Sequence, residues 1–240
     1  MDYADPYFLL TLGLSVAIIL AAYFKGKIDI SAVLASGLVG FLVIFSLSDK
    51  WFLIYLVLAF FALGNLVTRY RFSVKAEYKV AEGVRSFLNV FGNGGAATIF
   101  SVIFFFSHLP FMLFGVLGAM ATATADTFAT EVGQAHERKP RMITNLKKVD
   151  VGTSGAVSSH GLAASLVGAF LISLIPAFFG FGLLVVAVGT VAGFLGCVVD
   201  SFIGATLEKK LMDTHLTNFI ATFFGGVIAI LLGVSLGAAI

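Results

Sequence analysis

The sequence predicts an all-α, polytopic integral membrane bundle of about eight transmembrane helices, a single domain over 1–240 with both termini outside. Three observations predict it. The chain is 59% hydrophobic and only 12% charged, whereas a soluble domain carries about a quarter charged residues. Eight runs approach the ~20 apolar residues needed to cross a hydrocarbon core. The basic residues fall almost entirely in alternate connections, as they do when one side is cytoplasmic.

The runs are 7–24, 28–47, 51–67, 86–107, 109–131, 159–179, 183–206 and 216–240. Acidic Asp2 and Asp5, not basic residues, precede the first, and no small-residue cleavage site is clear, so it reads as a retained span rather than a signal peptide. With no transit peptide ahead of it, a multi-pass protein of a prokaryote-like cell membrane is expected. The connections at 48–50, 107–110 and 179–182 are tight, whereas 68–85 and 134–158 are long and polar, the kind of loop where function concentrates. Cys197 is the sole cysteine, which excludes an intramolecular disulfide.

Of the 15 Lys and Arg, Arg69, Arg71, Lys75, Lys79 and Arg85 separate spans three and four, and Arg138, Lys139, Arg141, Lys147 and Lys148 separate spans five and six. Lys25 and Lys27 follow span one, and Lys209 and Lys210 follow span seven. Lys50 alone has the other parity. Eight spans therefore put the basic loops in the cytoplasm, where they also attract anionic membrane lipid.

A charge inside a transmembrane helix costs about 2.5–3.5 kcal/mol on insertion scales, so the exceptions mark sites. They are Asp126, Glu131 and Asp200. Thr122, Asp126 and Thr130 recur every fourth residue and share a helical face. Asp126-Thr127 and Asp200-Ser201 place an acid and a hydroxyl at similar depth near the inner ends of two spans running the same way. Glu131 stands where span five leaves the membrane, as a third acid or a solvated interfacial one. Span four follows Arg85 and carries Asn89 and Asn93 around Gly92-Asn-Gly-Gly95; those glycines either loosen the helix for a ligand or let helices approach closely. Gly152-Thr153-Ser154-Gly155, ahead of span six, offers amides and hydroxyls to an anion, or is an ordinary helix start. His108, His136, His160 and His215 show no metal-ligand spacing.

Carboxylates with amide and hydroxyl oxygens suit Mg²⁺, and Lys, Arg and backbone N–H groups suit phosphates. Together they provide what phosphoryl transfer needs, at a surface that a water-soluble nucleotide reaches from the cytoplasm and an apolar chain reaches from lipid.

The stretches Arg85-Ser-Phe-Leu-Asn-Val-Phe-Gly-Asn-Gly-Gly95, Ala123-Thr-Ala-Asp-Thr-Phe-Ala-Thr-Glu131, Pro140-Arg-Met-Ile-Thr144, Gly152-Thr-Ser-Gly155 and Asp200-Ser-Phe-Ile-Gly-Ala-Thr206 resemble an uncharacterised-domain family of membrane proteins that includes the plant phytyl-phosphate kinase. The likeness runs over about 70–235. The Asp-Thr-x-Ala-x-x-x-Gly pattern at 126–133 is also similar to the CTP-dependent phytol and dolichol kinases. The resemblance implies transfer of the γ-phosphoryl of a nucleoside triphosphate, CTP, to an isoprenyl monophosphate lipid of phytyl or geranylgeranyl type. In that reading Asp126, Asp200 and Glu131 hold Mg²⁺ and form the catalytic set. Asn89 and Asn93 orient phosphate or metal, while Arg85, Arg141, Lys147, Lys148 and residues Gly152, Thr153, Ser154 and Gly155 bind phosphates. No nucleic acid is expected as a partner. A polyprenol kinase, a lipid cytidylyltransferase and an ion-coupled transporter are the alternatives.

Overall fold

In the computed structural model, which describes residues 5–240 apart from 82, 209 and 210, all eight apolar runs are helical. Asp2, Lys209 and Lys210, used above for the signal-peptide and charge arguments, lie outside the described residues. Helix α1 spans Pro6–Phe24 and α2 Ile30–Ser46; a 3-10 segment, Ser48–Leu53, leads into α3, Ile54–Arg69. A short α4, Phe72–Glu77, lies in the following connection, then come α5, Phe87–Ser107, and α6, Met112–His136. Strands β1, Arg141–Met142, and β2, Ala156–Val157, form a small antiparallel pair in the next connection. Helices α7, Ser159–Ser173, α8, Ile175–Phe178, α9, Leu183–Thr206, and α10, Thr214–Ser235, complete the bundle.

In lipid the backbone must satisfy its own hydrogen bonds, so these apolar runs have no alternative to helix. Their starts are set by capping side chains that accept orphan amides. Asp5 accepts from the amide of Tyr7, Asp29 from Ala32, Ser158 from Gly161 and Asp213 from Leu216, all at 2.8–3.0 Å. Among the described residues, seven helices are long and apolar enough to cross a membrane. The eighth run is α2, whose 17 residues span about 26 Å at 1.5 Å per residue, near the lower limit for a bilayer span.

Helix α6 is the axis of the bundle. It packs against α3, α5, α7, α9 and α10, and every residue from Leu113 to Ala125 is buried. Because lipid tails are as apolar as leucine, such packing depends on close van der Waals approach through small residues. Gly118 of α6 meets the Gly225 carbonyl and Ala229 of α10, and Gly193 of α9 lies on Ala121. A Cβ on Gly168 of α7 would stand 3.0 Å from the Thr124 carbonyl. Helix α1 is peripheral; it packs on α2 and buries only Phe8, Thr11 and Ala22.

Helix α5 runs without a break through Gly92–Gly95, so the loosening read from those glycines does not occur. A Cβ at Gly92 would stand 2.8 Å from the His215 carbonyl, and one at Gly95 3.1 Å from the Phe219 ring. The glycines seat α10 against α5. Helix α6 continues to His136, which places Glu131 within the helix and buried, not at a solvated exit.

Candidate functional site

The starts of α5, α7 and α10 meet the ends of α6 and α9 at one end of the bundle, and there, with the connections between them, they line a cavity of about 370 Å³. Asn89 and Asn93 of α5, Asp126, Thr127 and Thr130 of α6, Asp200 and Ser201 of α9, and Asn218 of α10 line it, together with Arg85, Glu208 and the turn at 152–155. The carboxyl groups of Asp126 and Asp200 line the cavity from adjacent helices, near enough to act on each other electrostatically. Oδ1 of Asp200 is buried and has no hydrogen-bond partner among the described residues. Two facing carboxylates away from water repel unless a proton or a cation lies between them. One turn deeper, Thr122 is wedged against Gly196 and Gly225, and its buried Oγ1 also lacks a partner.

These donors fit Mg²⁺. That ion is held by one or two carboxylates, several waters and substrate phosphates rather than by an all-protein cage. Among the described residues no group of three or more His, Cys, Asp or Glu stands where it could hold a metal ion, so a metal here would take its protein ligands from these two acids.

The turn at 152–155 also lines the cavity. Gly152 and Gly155 have φ of +82° and +76°, a backbone that favours glycine. Thr153 donates its amide and its hydroxyl to the Asp150 carbonyl at 3.2 and 2.7 Å. Among the described residues the amides of Ser154 and Gly155 make no hydrogen bond, which leaves a concave pair of donors of the kind that cradles anions. Gly155 rests directly on Ala205 of α9, and its carbonyl accepts from Ile143 at 3.0 Å. The turn is thereby fastened to the helix that carries Asp200.

A model of the family described as integral membrane protein DUF92 matches residues 13–237. The chain belongs to that family. It is 35% identical to an uncharacterised membrane protein of Methanocaldococcus jannaschii, over 85% of each chain. It is 36% identical to an uncharacterised membrane protein of Synechocystis, over 72% of this chain and 71% of that one. Protein VTE6, chloroplastic, of Arabidopsis thaliana is 30% identical over 93% of this chain and 66% of its own. No solved structure matches significantly.

Not every sequence-predicted residue reaches the cavity of this DUF92 protein. Arg85 does, with its guanidinium nitrogens 3.8 and 3.9 Å from where a Gly64 Cβ would stand and Thr127 alongside. Asn89 Oδ1 accepts from the amide of Ser86 at 2.8 Å and completes the helix cap, and Asn93 Nδ2 donates to the Asn89 carbonyl at 2.9 Å. Arg141, Lys147 and Lys148 are exposed and do not line the cavity, and Arg141 donates to the Leu146 carbonyl at 2.9 Å. Lys139 is paired with Asp150 at 2.8 Å on the surface; that hydrogen bond holds the Asp150 carboxyl below its usual range and the Lys139 ammonium above its own.

Glu131 borders the cavity but has its own partners. The fully buried Lys75 of α4 donates to Glu131 Oε2 and, at 2.7 Å, to the Thr68 carbonyl, while the Thr68 hydroxyl donates to Oε1 at 2.9 Å. Sequence reading identified neither this pairing nor Glu208, which lines the cavity near enough to act electrostatically on Asp126 and Asp200. Glu208 lies beyond the end of α9 at Thr206, in a polar stretch where helical spacing gives no signal for it.

Proposed function

We propose that this protein is a Mg²⁺-dependent kinase that transfers the γ-phosphoryl of a nucleoside triphosphate, CTP, to an isoprenyl monophosphate at the cytoplasmic face of the membrane. The observation that carries the reading is that Asp126, Asp200 and the 152–155 turn line one cavity, with Asp200 Oδ1 unpartnered among the described residues. A role in prenyl-phosphate chemistry draws further support from the similarity to VTE6 and from the motif resemblance to the family of the plant phytyl-phosphate kinase.

Asp126 and Asp200 would hold Mg²⁺, which when bound would neutralise phosphate charge. The amides of Ser154 and Gly155 and the guanidinium of Arg85 bind phosphate oxygens, while Asn93 and Asn218 orient them from the opposite wall. The cytoplasmic orientation rests on the basic loops, which lie at the cavity end.

The acceptor follows from the state of Glu131. A phosphate monoester is largely ionised near neutral pH, its second pKa being about 6, and needs no base. An alcohol benefits from one, and both oxygens of Glu131, the candidate base, accept from Lys75 and Thr68. A monophosphate acceptor is therefore favoured over a polyprenol. The test is CTP labelled separately at the α and γ phosphorus, offered with an isoprenyl monophosphate to membranes containing the protein. The γ label enters the lipid if the reading holds; entry of the α label instead would make the protein a cytidylyltransferase.

A further inference from the structure

The third acid expected beside Asp126 and Asp200 was Glu131, but that carboxylate is neutralised from behind by Lys75. Among the described residues no cation forms an ion pair with Glu208. It stands on the cavity wall just past the end of α9, and Thr214, at the start of α10, donates its hydroxyl to Glu208 Oε1 at 2.8 Å. A backbone bridge to Met212 fixes the same turn. Glu208 acts on both Asp126 and Asp200, yet the three do not converge as the ligands of one ion. Buried Asp200 Oδ1, without a donor, marks where positive charge is wanted. Mg²⁺ keeps several of its waters when bound, and carboxylates that accept from the ligands of a metal govern its affinity nearly as strongly as the ligands themselves.

We propose that Glu208 is a positioning residue for the divalent cation, holding through the ion's water shell the metal that Asp126 and Asp200 bind directly. Glu131 has no part in that shell; it anchors the α3–α4 connection to α6. The inference rests on the cation reading of the site and not on the identity of the phosphoryl acceptor.

The test is Mn²⁺ binding to the purified full-length protein in detergent, followed by electron paramagnetic resonance without nucleotide, so that it does not depend on turnover. Glu208→Gln is expected to weaken Mn²⁺ binding by about tenfold or more, in the range typical of lost outer partners, while Asp126→Asn abolishes it. Removing the other pair together, as Lys75→Met with Glu131→Gln, leaves no buried charge unpaired and is expected to keep affinity within about twofold. Thr214→Val, which frees Glu208 without removing its charge, is expected to fall between wild type and Glu208→Gln. Wild-type affinity in Glu208→Gln, with Asp126→Asn still inactive in binding, would overturn the role of Glu208 and leave the kinase reading intact. Loss in Glu208→Gln as complete as in Asp126→Asn would make it a direct ligand and overturn the water-mediated placement. Absence of Mn²⁺ binding by wild type would remove the cation reading itself.

Discussion

Asp200 lines the cavity and keeps one oxygen buried with no hydrogen-bond partner among the described residues, and Asp126 lines the same cavity from the neighbouring helix. Asp126→Asn and Asp200→Asn each preserve shape while removing the charge a cation needs; each is expected to lower phosphoryl transfer by about 100-fold or more with the folded fraction, followed by size-exclusion chromatography, unchanged. The Lys75–Glu131 pair predicts the opposite behaviour. Lys75→Met leaves a buried carboxylate unpaired and should cost about 3–5 kcal/mol, seen as a lowered melting temperature in detergent and largely recovered by adding Glu131→Gln. The two aspartates were legible in the sequence because a charge in an apolar run stands out against its neighbours. The partner of Glu131 was not: Lys75 is one of several basic residues in a polar loop, and only the folding of α4 onto α6 buries it. The basic residues at 141, 147 and 148 were over-read for a related reason, since a loop's charge does not say which way its side chains face.

At the level of elements, the helices were legible to within a few residues because bilayer thickness sets their length. What their glycines do was not, because the same residue permits unwinding and close packing. Gly92 and Gly95 turn out to seat α10 on α5. The crossing of α6 and α10 is tighter still: Gly118 meets the Gly225 carbonyl, and Thr122 lies against Gly225. Gly225→Val is therefore expected to destabilise the bundle by more than the 1–3 kcal/mol usual for overpacking, and to withdraw Asn218 from the cavity with it; thermal unfolding and Mn²⁺ binding would both register the change. The start of α2 carries a pH dependence. The Ser31 hydroxyl and the Ala32 amide hold the Asp29 carboxyl below its usual range. Its contribution to stability is complete above the unfolded pKa of about 3.9 and is lost as pH falls through the lowered folded value. Asp29→Asn, which caps a helix as well as aspartate, should lose less stability than wild type on acidification below about pH 4.

The whole molecule is polarised. Its candidate site residues lie at one end of the bundle, and the other end is closed by short, largely apolar connections. Sequence reading recovered this polarity from charge parity alone, since the asymmetry of Lys and Arg is written into the order of the spans. It did not recover the depth of the cavity, which depends on how five helices pack around α6. The orientation predicts that, with Cys197 replaced by alanine, a membrane-impermeant maleimide labels Phe178→Cys from outside intact cells and reaches Lys148→Cys only after permeabilisation. The central claim is phosphoryl transfer to a phosphorylated lipid by the Asp126–Asp200 pair, and it is tested most directly with purified protein, Mg²⁺ and γ-labelled CTP, offered geranylgeranyl phosphate or geranylgeraniol. Label entering a diphosphate from the monophosphate alone, and lost in Asp126→Asn and Asp200→Asn, is the result expected; transfer to the alcohol, or transfer that survives both substitutions, would contradict it.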